Sequence, residues 1–427
     1  MKPEEISKDI FDVGIRDWTC SDFHGFATPR GVTYNSFLIM DEKVCLIDGV
    51  KAPFAERQLY KISEVVDPQK VDYIVVNHVE PDHSGSLPLL AQKCPNATFL
   101  ITPQGATELK EHYGDIFNCQ IVKKGESISL GKRSLTFVPI PMVHWPDSMV
   151  TYCPEEEILF SSDAFGQHYC CSKRFDDETE VENMFYEAQR YYANILTPFR
   201  KLIPNAVKAV RGLKLRMICS CHGSIWRSHI EEILKLYEDW SLGKALDRII
   251  IVYDTMWGGT AAMATAIMDG IQAQGMRVKL YRYTSEQKAA IMSDVLTAKA
   301  ILVGSPTQNC VMMPTMGAFM MYLKGMKLTD KKAAAFGTYG WAGGAEKELE
   351  DAITASGMEL LPGYTCKWRP LPEEIKAADY QMKAAAYRFY KHCTMDDKGF
   401  ITCNVTNGAE LKISEEVFEF RLRDMKG

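Results

Sequence analysis

The chain has 427 residues, 46% apolar and 24% charged, with a net charge of −6, values that exclude a strongly basic nucleic-acid binder or a chain drawn to anionic membrane. Thirteen cysteines, an odd number with no CxxC, and an amino terminus without an apolar signal core point to reduced thiols in a cytoplasmic setting. The most membrane-like stretch, 311–323, has 13 residues and contains Pro314 and Gly317, against the ~20 needed to cross a bilayer.

Residues 37–40 and 44–47 flank Asp41-Glu42-Lys43 and read as a hairpin, followed by a helix over 52–66. The apolar run 71–76 reads as an interior strand leading into Asn77-His78-Val79-Glu80-Pro81-Asp82-His83-Ser84-Gly85. Extended geometry places alternate side chains on one face, so His78, Glu80 and Asp82 are expected to point the same way, with His83 following at a turn. Pro81 disfavours the helical region for Glu80 and supports that alternation. Helices are expected near 84–93 and 104–113, and short strands at 98–102, 120–122, 135–139, 148–152 and 157–160, a mixed α/β layer structure. Residues 165–193 lack strand alternation and read as helical elements of an insertion or lid over the motif. Amphipathic stretches at 194–217 and 228–240 close this half, and Ser241-Leu242-Gly243-Lys244 breaks the pattern. Domains of 1–245 and 246–393 are therefore expected, with 394–427 as a C-terminal extension of unknown role.

In the second half, a buried strand at 248–253 runs into Thr255-Met256-Trp257-Gly258-Gly259-Thr260 and a helix over 261–274. Further strands at 278–283, 300–304 and 332–338 alternate with helices, the pattern of a doubly wound parallel sheet. The 255–260 loop offers hydroxyls and backbone N–H groups at a helix N-terminus, a site for a phosphate dianion. It has neither the Lys of a Walker loop nor G-x-G-x-x-G, leaving a monophosphate such as that of FMN as the natural guest. Ser305-Pro306-Thr307-Gln308-Asn309 and Thr338-Tyr339-Gly340-Trp341-Ala342-Gly343-Gly344 also follow apolar strands and belong at the same sheet edge. Trp257, Tyr339 and Trp341 are candidate stacking partners, while Met312, Met313, Met316, Met320 and Met321 read as core packing.

His78, Glu80, Asp82 and His83 place two imidazoles and two carboxylates within six residues, a density that turn or capping roles do not account for. His144, in His144-Trp145-Pro146-Asp147-Ser148, together with Asp163 and His222, each at a strand end or loop, brings the donors to seven. That suffices for two metal ions sharing Asp163. His24 and His168 lie in segments able to approach the site and hydrogen-bond a ligand there, whereas His112, His229 and His392 read as surface residues.

The pattern resembles the metallo-β-lactamase superfamily, whose usual signature is H-x-H-x-D-H with a later His, a bridging Asp and a final His. Glu80 replaces the second imidazole by a hard anionic oxygen, which shifts preference from zinc toward iron. H-x-E-x-D-H, with the 144–148, 162–164 and 222–223 segments and the attached flavodoxin-like half, resembles the flavodiiron proteins over residues 1 to about 393. The resemblance implies a metallo-β-lactamase-like αββα sandwich followed by a doubly wound parallel flavodoxin-like sheet. It further implies His78, Glu80 and His144 on one iron, Asp82, His83 and His222 on the other, Asp163 bridging, and FMN in the second domain. The implied activity is reduction of O2 to water, NO to N2O, or both, fed by rubredoxin or a reduced flavin or deazaflavin. A domain of about 245 residues has a radius of gyration of about 18 Å, and the family's answer to the separation of its centres is a head-to-tail homodimer, alone or paired into a dimer of dimers. The alternatives are a two-zinc hydrolase fused to a flavodoxin module, and a non-catalytic flavin electron-transfer protein.

Overall fold

The structure, a computed structural model, describes residues 3–283, 287–371, 373, 393–395, 400–405 and 409–414. Two compact units divide the chain, Met1–Lys244 and Ala245–Gly427.

The first unit is built on two sheets. One runs in the order Glu4–Ser7, Ile10–Asp12, Phe37–Ile39, Val44–Ile47, Val71–Val75, Thr98–Ile101, Cys119–Ile121, with its last four strands mutually parallel. The other runs Ser127–Ser129, Ser134–Pro139, Met149–Cys153, Ile158–Ser162, Met217–Ser220, antiparallel until its final parallel pair. Alternation along the strands decides the layers. Ile39, Ile47, Val75 and Leu100 from the first sheet meet Phe137, Met149, Phe160 and Met217 from the second in one buried core. The opposite face of the first sheet, with Leu46, Ile74 and Phe99, packs on Ile62, Leu87, Leu90 and Leu109 of helices Ala55–Ser63, Leu87–Lys93 and Pro103–Tyr113. Helices Ile203–Arg211 and Ile230–Ser241 cover the second sheet, completing four layers, α, β, β and α.

Three local expectations are corrected. Strand Val71–Val75 ends before the motif, and Pro81–Ser84 is a helical turn, so the alternation stops at Glu80 and Asp82 does not share its face. Pro81 does hold Glu80 extended (φ −52°, ψ 137°), but its own fixed φ also starts the turn. Residues 165–175 are not a helical lid: Phe165, Gln167, His168, Tyr169, Cys170 and Arg174 are buried, and the Phe165 carbonyl accepts from Trp226 Nε1 at 2.8 Å. Helix begins only at Val181–Tyr191 and continues as a π-helical turn, Tyr192–Leu196. The stretch 194–217 likewise is not one helix: after the π-helical turn come a 3-10 turn, Thr197–Phe199, and helix Ile203–Arg211, and the chain then enters strand Met217–Ser220.

The second unit has a parallel sheet ordered Arg277–Arg282, Arg248–Tyr253, Ala300–Gly304, Lys332–Tyr339, Glu359–Leu360, with Tyr364–Lys367 also paired to Lys332–Tyr339. In chain order this is 2-1-3-4-5, the flavodoxin-like winding, whose switch point lies between the strands ending at Tyr253 and Gly304. Ile249, Ile251, Leu302 and Phe336 pack against Met263, Ile267 and Ile271 of helix Gly259–Ala273. Helix Pro314–Met326 buries Met316 and Met320, but Met321 is 70% exposed and outside the expected core stripe. Cys393–Met395, Phe400–Val405 and Ala409–Ser414 form an antiparallel three-stranded sheet. His392 and residues 415–427 lie outside the described residues.

Candidate metal centre and flavin cleft

Loops at the ends of strands from both sheets of the first unit bring the seven donors together. His78, Glu80, His144 and Asp163 form one group with ligand-capable atoms within 4.8 Å of one another. His78 Nε2 lies 3.3 Å from Glu80 Oε2, and His144 Nε2 lies 3.3 Å from that oxygen and 3.2 Å from Asp163 Oδ2. A second group gathers His83, Asp163, Cys221 and His222. Asp82 Oδ2 faces it, 3.1 Å from His222 Nε2 and 3.3 Å from His83 Nε2, while Asp163 Oδ1 is 3.3 Å from His83 Nε2. Asp163 thus turns one oxygen to each group. The helical turn that displaces Asp82 from the face of His78 and Glu80 is what delivers it to the second group.

The imidazoles are pre-aimed by their outer nitrogens. His78 Nδ1 lies 3.0 Å from both Asp147 oxygens, and His222 Nδ1 donates to the Thr33 carbonyl at 2.6 Å, leaving each Nε2 free to bind a cation. Burial opposes charge on His78, but Asp147 and Glu80 outweigh it and hold its pKa well above the usual imidazole range. Burial would raise Asp163, yet His83 and His144 draw its pKa well below the carboxylate norm.

These side chains fit a pair of metal ions. Both oxygens of Asp82, 4% exposed, accept no hydrogen bond, and the groups facing Oδ2 are the Nε2 atoms of His83 and His222, although a buried carboxylate without donors is costly. Convergence of carboxylate oxygens and imidazole Nε2 atoms at 3.1–3.6 Å leaves cations as the natural complement. An oxygen- and nitrogen-rich set without an obligatory thiolate suits iron.

Three residues of the centre carried no assignment as ligands in the sequence. Asp147 aims His78 and also accepts from Val79 N at 2.7 Å; its place beside His144 was the available signal. Tyr191 donates its hydroxyl to Asp163 Oδ1 at 2.7 Å. Cys221 Sγ donates to the same oxygen at 3.1 Å and lies 3.6 Å from His83 Nε2. Burial, then Asp163 and Asp82, push that thiol well above its ordinary range, so it stays protonated. His24 Nε2 is 3.4 Å from Glu80 Oε1 and half exposed. His168 is buried with its Nε2 unpartnered, its ring 4.9 Å from Tyr191 and 5.4 Å from His222. Burial, then His222, hold it well below the usual imidazole range, hence neutral. His112 and His229 stand outside both donor groups; His229 Nδ1 lies 3.0 Å from Asp176 Oδ2.

In the second unit, a cleft of about 650 Å³ is lined by Met256, Trp257, Gly259, Pro306, Thr307, Gln308, Asn309, Thr338, Tyr339, Gly340 and Trp341, and by Cys310, Ala342, Trp368 and Arg369. It lies at the sheet edge where the winding reverses. Gly258 caps helix Gly259–Ala273 at φ 82°, a conformation glycine adopts freely, and donates its N–H to Thr255 Oγ1 at 3.1 Å. Thr260, fully buried, pairs its hydroxyl with Thr338 Oγ1 at 3.1 Å. Thr255, Gly258 and Thr260 belong to this loop but do not line the cleft, and Gly343 and Gly344 line an adjoining 310 Å³ cavity with Thr307 and Tyr339. Trp257 and Trp341 are 95% and 87% exposed, unlike packing aromatics. Trp368, its ring centre 6.0 Å from that of Trp341, and Arg369 follow the short edge strand Tyr364–Lys367, which carried no sequence signal.

Among the described residues, no helix is long and apolar enough to cross a membrane. The profile described as "ODP family beta lactamase" matches residues 32–223, and the flavodoxin profile matches 251–379. The chain is 44% identical over 382 residues to a nitric oxide reductase of Moorella thermoacetica, covering 88% of this chain and 96% of that one. Among solved structures, the flavodiiron protein of Giardia intestinalis aligns with TM-score 0.87 and 34% identity, over 91% of this chain and 97% of its own. The rubredoxin:oxygen oxidoreductase of Desulfovibrio gigas aligns with TM-score 0.88 and 34% identity, over 91% and 98%. With both profiles in sequence, a lactamase-type donor cage and a flavodoxin-wound second unit, this chain belongs to the flavodiiron proteins, a family of oxidoreductases built on a diiron centre and FMN.

Proposed function

We propose that this protein reduces NO to N2O, O2 to water, or both, with His78, Glu80 and His144 holding one iron, Asp82, His83 and His222 the other, and Asp163 joining them. The observation that carries the reading is the division of the seven donors into two groups that share Asp163, with Glu80 where a zinc hydrolase of this fold has histidine. The reading of NO leans on the Moorella relative and that of O2 on the Desulfovibrio structure, as each is named.

When bound, a diiron pair supplies two electrons and open positions for a diatomic, and FMN supplies two more. Two NO need two electrons and two protons to give N2O and water; O2 needs four of each to give two waters. The chain's own residues orient the donors, through Asp147 and Thr33, and fix the shared carboxylate, through Tyr191 and Cys221. His24, half exposed beside Glu80, is placed to exchange protons with solvent, and neutral His168 to hydrogen-bond a guest without adding charge.

The cleft at 256–257, 306–309 and 338–341 holds the FMN, with Thr255, Gly258, Thr260, Gly343 and Gly344 supporting its loops. Electrons arrive from an external carrier, a rubredoxin or a reduced flavin or deazaflavin, and pass to the metal centre in a head-to-tail homodimer, alone or paired into a dimer of dimers. The test is to load the protein with iron, reduce it chemically and measure initial rates with O2 and with NO on one anaerobic sample. Consumption of either gas supports the reading; zinc in place of iron in the purified protein, or consumption of neither gas, overturns it.

A further inference from the structure

A cavity in the first unit, of about 80 Å³, lies between helix Ile203–Arg211 and the second sheet. Val138, Ile140 and Val150 form its sheet side, and Ala206, Val207 and Val210 its helix side. The wall is almost wholly apolar. Its one side-chain polar group, the Tyr237 hydroxyl, is engaged by Phe165 N–H at 2.8 Å. A buried water needs 2–4 polar partners, and a void without them stays dry and takes up apolar guests. The space is several times the ~10–15 Å³ that one water-sized molecule needs, and too small for an organic substrate.

Its position ties the cavity to the metal centre. The inner wall includes Val143, the neighbour of His144, and Ala164 and Phe165, which follow Asp163. On two separate ligand loops, the residue beside the ligand faces the cavity. At the other end, Ala209 is exposed and Ala206 and Leu213 are partly exposed. An apolar cavity thus lies between the outer helix and the loops carrying two donors of the first metal group.

We infer that this cavity is a binding site for small apolar gas molecules that collects the substrate and delivers it to the centre. The inference rests on the gas-reducing reading and deepens it. An apolar diatomic loses little on leaving water and gains contact with the wall, whereas water and anions find no partner there.

The test uses xenon as an apolar probe on crystals of the full-length protein loaded with iron and FMN, and two variants, Ala206→Phe at the rim and Val207→Phe inside. Xenon density in the wild-type cavity, absent from a folded variant, is expected. With it should come a several-fold fall in kcat/KM for the gas, while kcat at saturating gas, iron content and the rate of flavin reduction are kept. Because Ala206 is partly exposed at the rim, its variant remains informative if Val207→Phe does not fold. No xenon in the wild-type cavity, or unchanged kcat/KM in a variant that excludes xenon, overturns the inference. Xenon bound in a protein that reduces neither gas would refute the functional reading and the delivery role together, whereas turnover without xenon binding would refute the cavity's role alone.

Discussion

Asp147 holds His78 by both carboxylate oxygens, each 3.0 Å from Nδ1, and takes the Val79 amide hydrogen as well. It sets the tautomer and the angle of the ring from the side away from the ions. In Asp147→Asn the shape survives and the charge does not. Metal affinity is expected to fall by ~10–100-fold with little change in the fold, measured by competition with a chromogenic chelator. Unchanged affinity would mean that packing alone aims His78.

Tyr191→Phe removes a hydroxyl that donates to the buried Asp163 carboxylate. A hydrogen bond to a charged group contributes about 1.5–3 kcal/mol, so the metal-free protein should lose that much stability. The loaded protein should lose less, because ions then compete for the same lone pairs. Denaturant unfolding of both forms checks the difference, and equal losses would contradict it.

Proton release should accompany metal binding. Burial disfavours charge on His83, but Asp82 and Asp163 outweigh it and raise its pKa to about 9 in the metal-free centre. That lies above the ~6.5 of an unfolded histidine, so this contribution to stability is fully present below ~6.5 and is lost as pH rises through about 9. An ion must displace the proton, so apparent affinity should climb across the same window. Calorimetric titrations with Fe(II) in buffers of different ionisation enthalpy would read the release; heats independent of buffer would refute it.

Trp341→Ala opens one wall of the flavin cleft. Aromatic stacking contributes ~0.5–1.5 kcal/mol beyond buried area, so the Kd for FMN should rise by about 2–10-fold. Fluorescence titration of the flavin-free protein measures it, and an unchanged Kd would remove Trp341 from the site.

Gly223→Ala should disrupt the site that Asn35 and Thr33 help hold. Gly223 sits at φ 85°, and an added Cβ would lie 1.8 Å from Gln167 Oε1 and 2.8 Å from the Gln167 carbonyl. Gln167 cannot swing aside without giving up its bonds to Ser224 N, Phe165 O and Ser224 O. The backbone conformation alone costs about 1–3 kcal/mol, so lowered stability and weaker metal retention are expected together. A variant with wild-type melting and metal content would refute this.

The donors were legible because chemistry concentrates in their residue types: no surface turn needs His78, Glu80, Asp82 and His83 side by side. The doubly wound sheet was legible from long apolar strands such as Arg248–Tyr253 alternating with helices. What was illegible lay in short or context-dependent elements. The strands of two to four residues between Glu4 and Tyr34 are too brief for a periodicity to register. Strand Met217–Ser220 was missed because its first residue falls in the amphipathic stretch 194–217 and four apolar or small residues carry no period of their own. Asp147 stood beside His144 in the motif, but what Asp147, Tyr191 and Cys221 do depends on residues far away in the chain, which no local spacing names. Asp82 was misplaced by a single residue's conformation: Pro81 both keeps Glu80 extended and starts the turn that follows.

The donors of the centre come from both sheets of the sandwich, His78 to His83 after a strand of the first, His144, Asp163 and His222 after strands of the second. Ions held by these residues would act as a cross-link over most of the first unit, closing the long chain loop from His78 to His222. Such a loop is costly to close in an unfolded chain, and whatever binds only the folded form holds it closed by mass action. Iron supply would then govern how long the folded polypeptide survives proteolysis, quite apart from whether it turns over.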